Sequence, residues 1–416
     1  MKNICVIGLG YIGLPTACML ASNGYNVLGI DINEEIVTKL NSGKVHIEEP
    51  ELEEVFLNVS RNGKLRVSQN LEKSDIFIIS VPTPLNEENK ADLSYIINAA
   101  AKVKDYIDKG NLIILESTSP PSTTRKVIGS MILKSTGLKA GEDYYLAFCP
   151  ERVLPGKIIY ELINNDRIIG GINKKSAEKA KEIYSSFVKG RILLTDLETA
   201  EFTKLAENTY RDVNIAFSNE LALICNDYNI NVWDVIKLAN KHPRVNILSP
   251  GPGVGGHCIP IDPWFILNNV SRGNTLIEKC RDINNSLPNI ISKKIMEIVK
   301  DKKDPKVTLF GASYKENIGD TRESPTKVIY KNLAKEKVNI SVYDPLSANF
   351  EYPLSSSLKD SLKGSDLLVL LVGHKIFKEV NLKHVSTLMR TKNIFDTRNF
   401  FKKEEAIRYG FKYYII

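Results

Sequence analysis

No apolar run in the chain approaches the ~18 residues that a membrane-crossing helix requires, so no spanning segment is expected. No secretory leader is expected either. Met1-Lys2-Asn3-Ile4-Cys5-Val6-Ile7-Gly8 enters a strand pattern directly, without a charged n-region, an apolar h-region or a small-residue cleavage site. The expected location is the cytoplasm. Cysteine is sparse, with 6 in 416 residues and none at paired spacing, which indicates neither a disulfide framework nor a zinc site; no metal is expected. Charge of one sign is nowhere concentrated. The 56 Lys and Arg are interspersed with 49 Asp and Glu for a net charge of +7, whereas a nucleic-acid binder gathers its cations on one stripe with aromatics between them. Neither nucleic acid nor membrane is therefore an expected partner. The small excess suits a solvated surface with a mild attraction for an anionic small molecule. There is no short-period repeat and no low-complexity tract.

What is present is the composition of a globular chain that buries a full core, with a length that suggests two to three domains. The first segment alternates apolar runs with helical stretches. Ile4–Ile7, Tyr25–Ile30, Asp75–Val81, Leu112–Glu116 and Tyr145–Phe148 are expected strands; Leu14–Asn23, closed by Gly24, and Leu93–Ile107 are expected helices. Such alternation predicts a parallel, doubly wound sheet whose ligand lies beyond the carboxyl ends of its strands. The middle is helical. Apolar residues at Phe202, Leu205, Ala206, Val213, Ala216, Phe217, Leu221 and Ile224 fit one long helix from Thr199 to about Asn229, followed by a second over Val232–Asn240. A helix of that length has a face to spare for a second copy of the chain. After the polar stretch Lys300–Lys306, alternation returns at Val307–Phe310, Asn339–Tyr343, Asp366–Val372, Asn393–Phe395 and Phe411–Ile416. The expected fold class is thus α/β, with two Rossmann-like doubly wound domains joined by a central helical domain. The expected domains are residues 1–195, 196–300 and 301–416.

Gly8-Leu9-Gly10-Tyr11-Ile12-Gly13 is a GxGxxG run between a strand and a helix. Its first glycine permits the tight turn, the second the approach of a pyrophosphate, and the third close helix–strand packing. The helix N-terminus then offers N–H groups and a dipole to the anion. Asp31 ends the second strand, where an acid accepts the adenosine ribose hydroxyls and repels a 2′-phosphate; NAD is expected rather than NADP. Ser80-Val81-Pro82-Thr83-Pro84 and Glu116-Ser117-Thr118-Ser119 also follow strands, where hydroxyls face the ligand crevice or simply end the strand. The last domain has no GxGxxG after its first strand, so something other than a dinucleotide pyrophosphate is expected there.

Of the six cysteines, Cys5, Cys18, Cys149, Cys225 and Cys280 lie in apolar surroundings and read as small core residues. Cys258 does not. It stands in Gly251-Pro252-Gly253-Val254-Gly255-Gly256-His257-Cys258-Ile259-Pro260-Ile261-Asp262-Pro263, where glycines let a ligand approach the backbone and a carboxylate follows four residues on. A thiolate nucleophile is favoured there over a structural thiol. Lys204, Asn208 and Arg211 share one face of the long helix, where a lysine and an amide can donate to a developing oxyanion. Pro150-Glu151-Arg152, His242-Pro243-Arg244 and Tyr314-Lys315 are polar loop clusters whose cations suit a diphosphate.

Taken in order along almost the whole chain, these motifs resemble the UDP-glucose/GDP-mannose dehydrogenase family. Gly8–Gly13, Val81–Pro84, Ser117-Thr118, Pro150–Gly156, Phe202–Asn208, Gly253–Asp262 and Gly311–Pro325 carry the resemblance. It implies an NAD domain, a helical dimerisation core, a C-terminal domain holding the nucleotide of a UDP-sugar, and a homodimer or higher homo-oligomer. The implied reaction takes two hydrides from C6 of the sugar to two NAD, with a thiohemiacetal and then a thioester on Cys258 and hydrolysis to a uronic acid used in polysaccharide biosynthesis.

By the same resemblance, Cys258 is the nucleophile, Lys204 and Asn208 stabilise the C6 oxygen, Asp262 and Thr118 handle the hydrolytic water, and Glu151 assists. Gly8, Gly10, Tyr11, Ile12, Gly13, Asp31, Thr83, Thr118 and Arg322 are the implied cofactor contacts. Arg152, Val153, Lys204, Asn208, Arg211, His242, Arg244, Gly255, Tyr314, Lys315 and Arg398 are the implied substrate contacts, some of them reaching a neighbouring subunit. One departure narrows the sugar. UDP-glucose and GDP-mannose members carry Lys before the loop aspartate, but Ile261 precedes Asp262 here. The Gly255–Trp264 run resembles the N-acetylhexosamine branch, with UDP-N-acetyl-D-mannosamine the expected substrate and UDP-N-acetylglucosamine the nearest rival. A β-hydroxyacid-type dehydrogenase shares the N-terminal pattern but has no use for the cysteine loop. A non-catalytic dinucleotide sensor would leave Cys258 unreactive.

Overall fold

Apolar runs too short for helices, bounded by turns, become strands where neighbouring strands pair their edges and helices cover both faces of the sheet. In the computed structural model, which describes residues 2–268, 270–271 and 273–416, eight segments form one sheet. They are β1 (Asn3–Ile7), β2 (Asn26–Ile30), β3 (Leu65–Ser68), β4 (Ile76–Ile79), β5 (Leu112–Leu115), β6 (Tyr145–Phe148), β7 (Arg167–Gly171) and β8 (Ile192–Asp196). Their order is β3-β2-β1-β4-β5-β6-β7-β8, parallel except for the antiparallel pair β6–β7. The order reverses beside β1, with β2 on one flank and β4 on the other, and this places a crevice at the carboxyl ends of β1 and β4. Alternate residues of β1 serve two cores, Ile4 and Val6 on one face of the sheet and Cys5 and Ile7 on the other. The strands β3, β7 and β8 lie outside the expected set. β3 has only Leu65 buried, and the Ile192-Leu193-Leu194 run of β8 is largely exposed, so neither edge strand shows the buried apolar run of the central strands.

This sheet and its helices make up the first of two units, Met1–Glu207 with Trp264–Val270; the second comprises Asn208–Pro263 with Ser271–Ile416. The long helix spans Leu197–Asp227, two residues earlier at each end than its periodicity suggests. It stops where Asn229 takes a left-handed φ of 56°. Asn231 then caps the helix Val232–Ala239 by accepting from the Trp233 N–H.

In the second unit, β9 (Lys306–Phe310), β10 (Asn339–Tyr343), β11 (Leu367–Leu370), β12 (Asn393–Asp396) and β13 (Lys412–Ile415) form a parallel sheet in the order β10-β9-β11-β12-β13. One face of it shares a core with Ala222, Val232, Ile236 and the Leu287–Val299 part of the helix Leu276–Val299. The helices of this unit and its sheet therefore exclude water together. Among the described residues, no helix is long and apolar enough to cross a membrane, and no group of His, Cys, Asp or Glu is placed to hold a metal.

Candidate active site

In the first unit, β1 runs into the glycine turn and the helix Gly13–Ser22 leaves it. Gly8 has φ 93°, and a Cβ there would sit 2.4 Å from the Ser80 carbonyl oxygen; a Cβ on Gly13 would sit 1.8 Å from the Gly8 oxygen. Only glycine fits either place. A Cβ on Gly10 would meet nothing within 4 Å, so the middle glycine fronts open space, as a pyrophosphate requires. Ile12, the N-cap of the helix, supplies no side-chain hydrogen bond, which leaves the first N–H groups of the helix to a phosphate. Tyr11 is exposed beside it. At the end of β4, Thr83 is buried and its hydroxyl has no hydrogen-bond partner among the described residues, as a ligand contact would leave it. These features fit a dinucleotide.

The Asp31 carboxylate accepts from Leu9 N–H and Asn33 N–H, both at 2.9 Å, and so ties β2 to the glycine turn. A carboxylate has about four acceptor positions, so each oxygen retains one for a ribose hydroxyl. Asp31→Asn is expected to shift the ratio of NAD to NADP affinity about tenfold toward NADP, the worth of one charge-assisted hydrogen bond. Equilibrium titration with both cofactors measures it, and an unchanged ratio contradicts the assignment.

Thr118 is half-buried after β5, next to Ser117, whose hydroxyl accepts from the Val81 N–H at 2.9 Å. The turn that follows is held by Glu201. Its carboxylate accepts from Ser122 N–H at 2.6 Å and from the backbone and hydroxyl of Thr124 at 2.8 and 2.6 Å, and burial pushes its pKa up to about 7. Lys204 lies one turn further along the same helix, half-buried. Glu151 is buried after β6. One of its oxygens accepts from Arg152 N–H at 2.6 Å and the other from Arg167 Nη2 at 3.1 Å. The Arg152 side chain pairs with Glu207 at 2.7 Å and donates to the Asp166 carbonyl, while Val153 packs against the sheet's core.

In the second unit, Cys258 is exposed and the other five cysteines are buried. Burial pushes the thiols of Cys5 and Cys149 up to about 12, which keeps them protonated and inert. The Cys258 carbonyl accepts from Asp262 N–H at 2.9 Å, so the cysteine stands one turn ahead of the helix Asp262–Leu267. Asp262 is buried and accepts from Asn208 Nδ2, while the Asn208 carbonyl oxygen accepts from Arg211 Nη2. The Asn208 amide has two N–H groups, so this bond leaves one for an oxyanion. Next to the cysteine, burial and Arg322 lower the pKa of His257 against the pull of Asp320 and Glu323, which favours a neutral imidazole.

The glycines of the loop are a packing requirement. A Cβ on Gly255 would lie 2.4 Å from the Glu323 oxygen, on Gly256 2.7 Å from the Tyr314 ring, and on Gly251 2.3 Å from the Arg398 guanidinium. Tyr314, Arg398 and the backbone at Glu323 are thereby brought against the cysteine loop. Arg322 grips Asp320 at 2.6 Å, and its carbonyl accepts from Gly256 N–H. Lys315 is half-buried beside Tyr314, and His242 and Arg244 lie in an exposed turn after the helix Val232–Ala239.

Three buried charge groups escape the sequence motifs. Arg281 pairs with Asp212 at 2.5 Å, and Asp212 also accepts from Asn284 Nδ2; Asn284 accepts from Asn219, whose carbonyl oxygen takes the Gly251 N–H at the start of the cysteine loop. Asp344 pairs with His374 at 3.1 Å and accepts from Ala312 and Ser313 N–H, fixing the entry to the Tyr314 loop. Arg167 holds Glu151. A charged residue inside an apolar stripe, as at Arg281, was the one local signal available.

Family models for three consecutive domains match this chain. The NAD binding domain of the UDP-glucose/GDP-mannose dehydrogenase family covers residues 2–188, its central domain 198–286 and its UDP binding domain 308–403. The chain belongs to the UDP-glucose/GDP-mannose dehydrogenase family. Membership makes it an NAD-dependent oxidoreductase with a UDP-binding C-terminal domain. Among its relatives, a UDP-N-acetyl-D-mannosamine dehydrogenase of Methanococcus vannielii is 50% identical, over 99% of this chain and 96% of the relative. The solved structure of a UDP-D-ManNAc dehydrogenase from Pyrococcus horikoshii superposes with a TM-score of 0.94 at 43% identity, covering 100% of this chain and 99% of the other. A UDP-N-acetyl-mannosamine dehydrogenase structure from Staphylococcus aureus gives 0.91 at 45%, covering 100% and 98%. Both architecture and family agree with the expectation from the motifs.

Proposed function

We propose that the chain oxidises C6 of UDP-N-acetyl-D-mannosamine to the carboxylate, giving UDP-N-acetyl-D-mannosaminuronate. One primary alcohol, two NAD and one water yield one carboxylate, two NADH and three protons. NAD, when bound at the Gly8–Gly13 turn, is the hydride acceptor for both oxidations. Lys204 and Asn208 donate to the C6 oxygen as it loses its proton and whenever it carries charge again. The Cys258 thiolate adds to the aldehyde carbon, and the C–S bond retains the aldehyde until the second oxidation leaves a thioester. Asp262, with Thr118, orients a water and takes its proton. The new C–O bond forms, the C–S bond breaks, and the thiolate is restored. Glu151 assists these proton movements. Arg152, Arg211, His242, Arg244, Lys315 and Arg398 supply charge and hydrogen bonds to the nucleotide-sugar, with Val153, Gly255 and Tyr314 shaping its bed.

The observation that carries the chemistry is the exposure of Cys258 in its glycine loop against the burial of every other cysteine. The sugar is supported by the near-full-length identity to UDP-N-acetyl-D-mannosamine dehydrogenases and by Ile261 ahead of Asp262. We place the reaction in the cytoplasm, where NAD and nucleotide-sugars are supplied, and assign the chain to a homodimer or higher homo-oligomer. In support of the latter, Tyr210, Phe217 and Ile224 are 46–61% exposed along one helix at spacings of seven, and exposed Tyr228 follows just past its end, an apolar stripe that water disfavours. The three segments 1–195, 196–300 and 301–416 serve as cofactor, catalytic and nucleotide-holding parts. Kinetics at 340 nm on UDP-N-acetyl-D-mannosamine, UDP-N-acetylglucosamine, UDP-glucose and GDP-mannose test the substrate. The first should show a kcat/KM at least about tenfold above the rest, the worth of one well-placed hydrogen bond. Preference for UDP-N-acetylglucosamine would retain the chemistry and refute the epimer.

A further inference from the structure

Beneath the Glu151 loop, within the first unit, lies a closed group of ionisable side chains that none of these steps uses. Arg167 opens β7, Glu116 follows β5, Cys149 follows β6, and Tyr184 ends the helix Lys174–Tyr184; all four are buried. Arg167 Nη2 donates to Glu151 Oε2 at 3.1 Å and Nη1 to Cys149 Sγ at 3.5 Å, and the guanidinium carbon lies 4.8 Å from the centre of the Tyr184 ring. The Tyr184 hydroxyl donates to Glu116 Oε1 at 2.6 Å. The guanidinium thus bonds one buried carboxyl, Glu151, and acts electrostatically on a second, Glu116. In a medium of low dielectric a single positive charge offsets one carboxylate well and two poorly.

We propose that Arg167 is a positioning residue for Glu151 and that Glu116 competes for its charge, so that the proton on Glu116 sets how firmly Arg167 holds Glu151 in place. The proposal rests on the assignment of Glu151 to the reaction. With its two oxygens held by Arg167 and by Arg152 N–H, Glu151 has a fixed orientation. The guanidinium fork lets Arg167 reach Glu151 through Nη2 while Nη1 is fixed on Cys149, an anchoring that a lysine's single point charge does not reproduce.

Burial, with Glu151 adding to it, pushes the Glu116 carboxyl up to about 7, against the opposing pull of Arg167 and its hydrogen bonds. Around it stand Arg167 from β7, Tyr184 from its helix, Cys149 and Glu151 from the end of β6, and Thr16 from the helix Gly13–Ser22. Burial pushes Tyr184 well above 10 and Cys149 to about 12, so neither titrates near neutrality. Below pH 7 a neutral Glu116 leaves the guanidinium to Glu151; above it, a second carboxylate draws on the same charge and loosens the hold of Arg167 on Glu151.

The variants Glu116→Gln and Arg167→Lys test this in the full-length enzyme. Glu116→Gln keeps an acceptor for Tyr184 and should remove one ionisation near pH 7 from the kcat profile. Arg167→Lys should lower kcat about 10–100-fold, the cost of a misplaced group, with KM for the UDP-sugar unchanged within about twofold. A Glu116→Gln profile superimposable on the wild type, or an Arg167→Lys loss confined to KM, overturns the proposal.

Unfolding against pH supplies a readout independent of turnover. The folded pKa of Glu116 is raised above its ordinary 4.5, so its contribution to stability is fully present below about 4.5 and is lost as pH rises through about 7. Glu116→Gln should flatten that decline, and parallel curves count against the shared charge. A wild-type chain inert toward every UDP-sugar would refute the functional reading instead, leaving the charge sharing to be judged on these curves.

Discussion

Cys258→Ala is expected to yield a protein that folds and binds NAD like the wild type, yet forms uronic acid at least about 10³-fold more slowly, as loss of a covalent nucleophile generally does. The fold should survive because the side chain is exposed, whereas an alanine at Cys5 or Cys149 would open a hole in a core. The loss falls on capture of the aldehyde and on hydrolysis, since no other thiol is accessible. Iodoacetamide labelling followed by mass spectrometry gives the complementary result. Cys258 should be modified first in the native protein, while Cys5, Cys18, Cys149, Cys225 and Cys280 stay protected by burial. Acid formation within tenfold of wild type in the alanine variant, or uniform slow labelling of all six cysteines, contradicts the covalent route.

Arg281→Met is expected to lower stability by about 3–5 kcal/mol, the usual cost of stripping one partner from a buried ion pair. Arg281 is 2% exposed and Asp212 is 0% exposed, so solvent does not screen the charge left behind. Burial raises the pKa of Asp212 and Arg281 opposes that rise, so the variant's aspartate has to be buried uncompensated or take up a proton. The consequence reaches the cysteine loop through Asn284 and Asn219 to Gly251 N–H, and kcat should fall with stability. Combining Arg281→Met with Asp212→Leu removes both charges and should recover most of the stability, because an apolar pair of similar volume replaces an ion pair at little net cost. Urea midpoints measure both variants. A single variant within about 1 kcal/mol of wild type would show that the pair contributes only what an exposed one does.

How far the molecule was legible from sequence depended on the range of the interactions. The glycine turn, β1, β2 and Asp31 are read from one short stretch because each local choice answers to the same pyrophosphate and the same tight turn. Cys258 is read by contrast, since its glycine and proline neighbours differ from the apolar neighbours of the other five. Edge strands were not legible. Arg66 in β3 and the exposed residues of β8 leave no alternation to count.

Buried charge was not legible either. Asp212 and Arg281 are 69 positions apart and Asp344 and His374 are 30 apart, and no local spacing reports that two such groups will meet. Glu116 stood in plain view next to Ser117 and Thr118, but nothing in the motif says that its carboxyl turns inward toward Tyr184 rather than outward to a ligand. The long helix is legible as a periodic segment, but its apolar residues answer to two environments. Leu205, Ala216 and Ala222 are buried, while Phe202, Phe217 and Ile224 are exposed. The polar stretch Lys300–Lys306 marks the passage from helices to sheet in sequence, although Ile291, Ile295 and Val299 before it pack in one core with Val307 and Leu309 after it.

The most direct test of the account is the number of NADH formed per UDP-N-acetyl-D-mannosamine, with the sugar limiting and NAD in excess, followed to completion at 340 nm with the product identified by mass. A four-electron oxidation through Cys258 predicts two NADH and a carboxylate for every substrate consumed. One NADH with an aldehyde released to solvent would contradict it, because the cysteine would then have captured nothing.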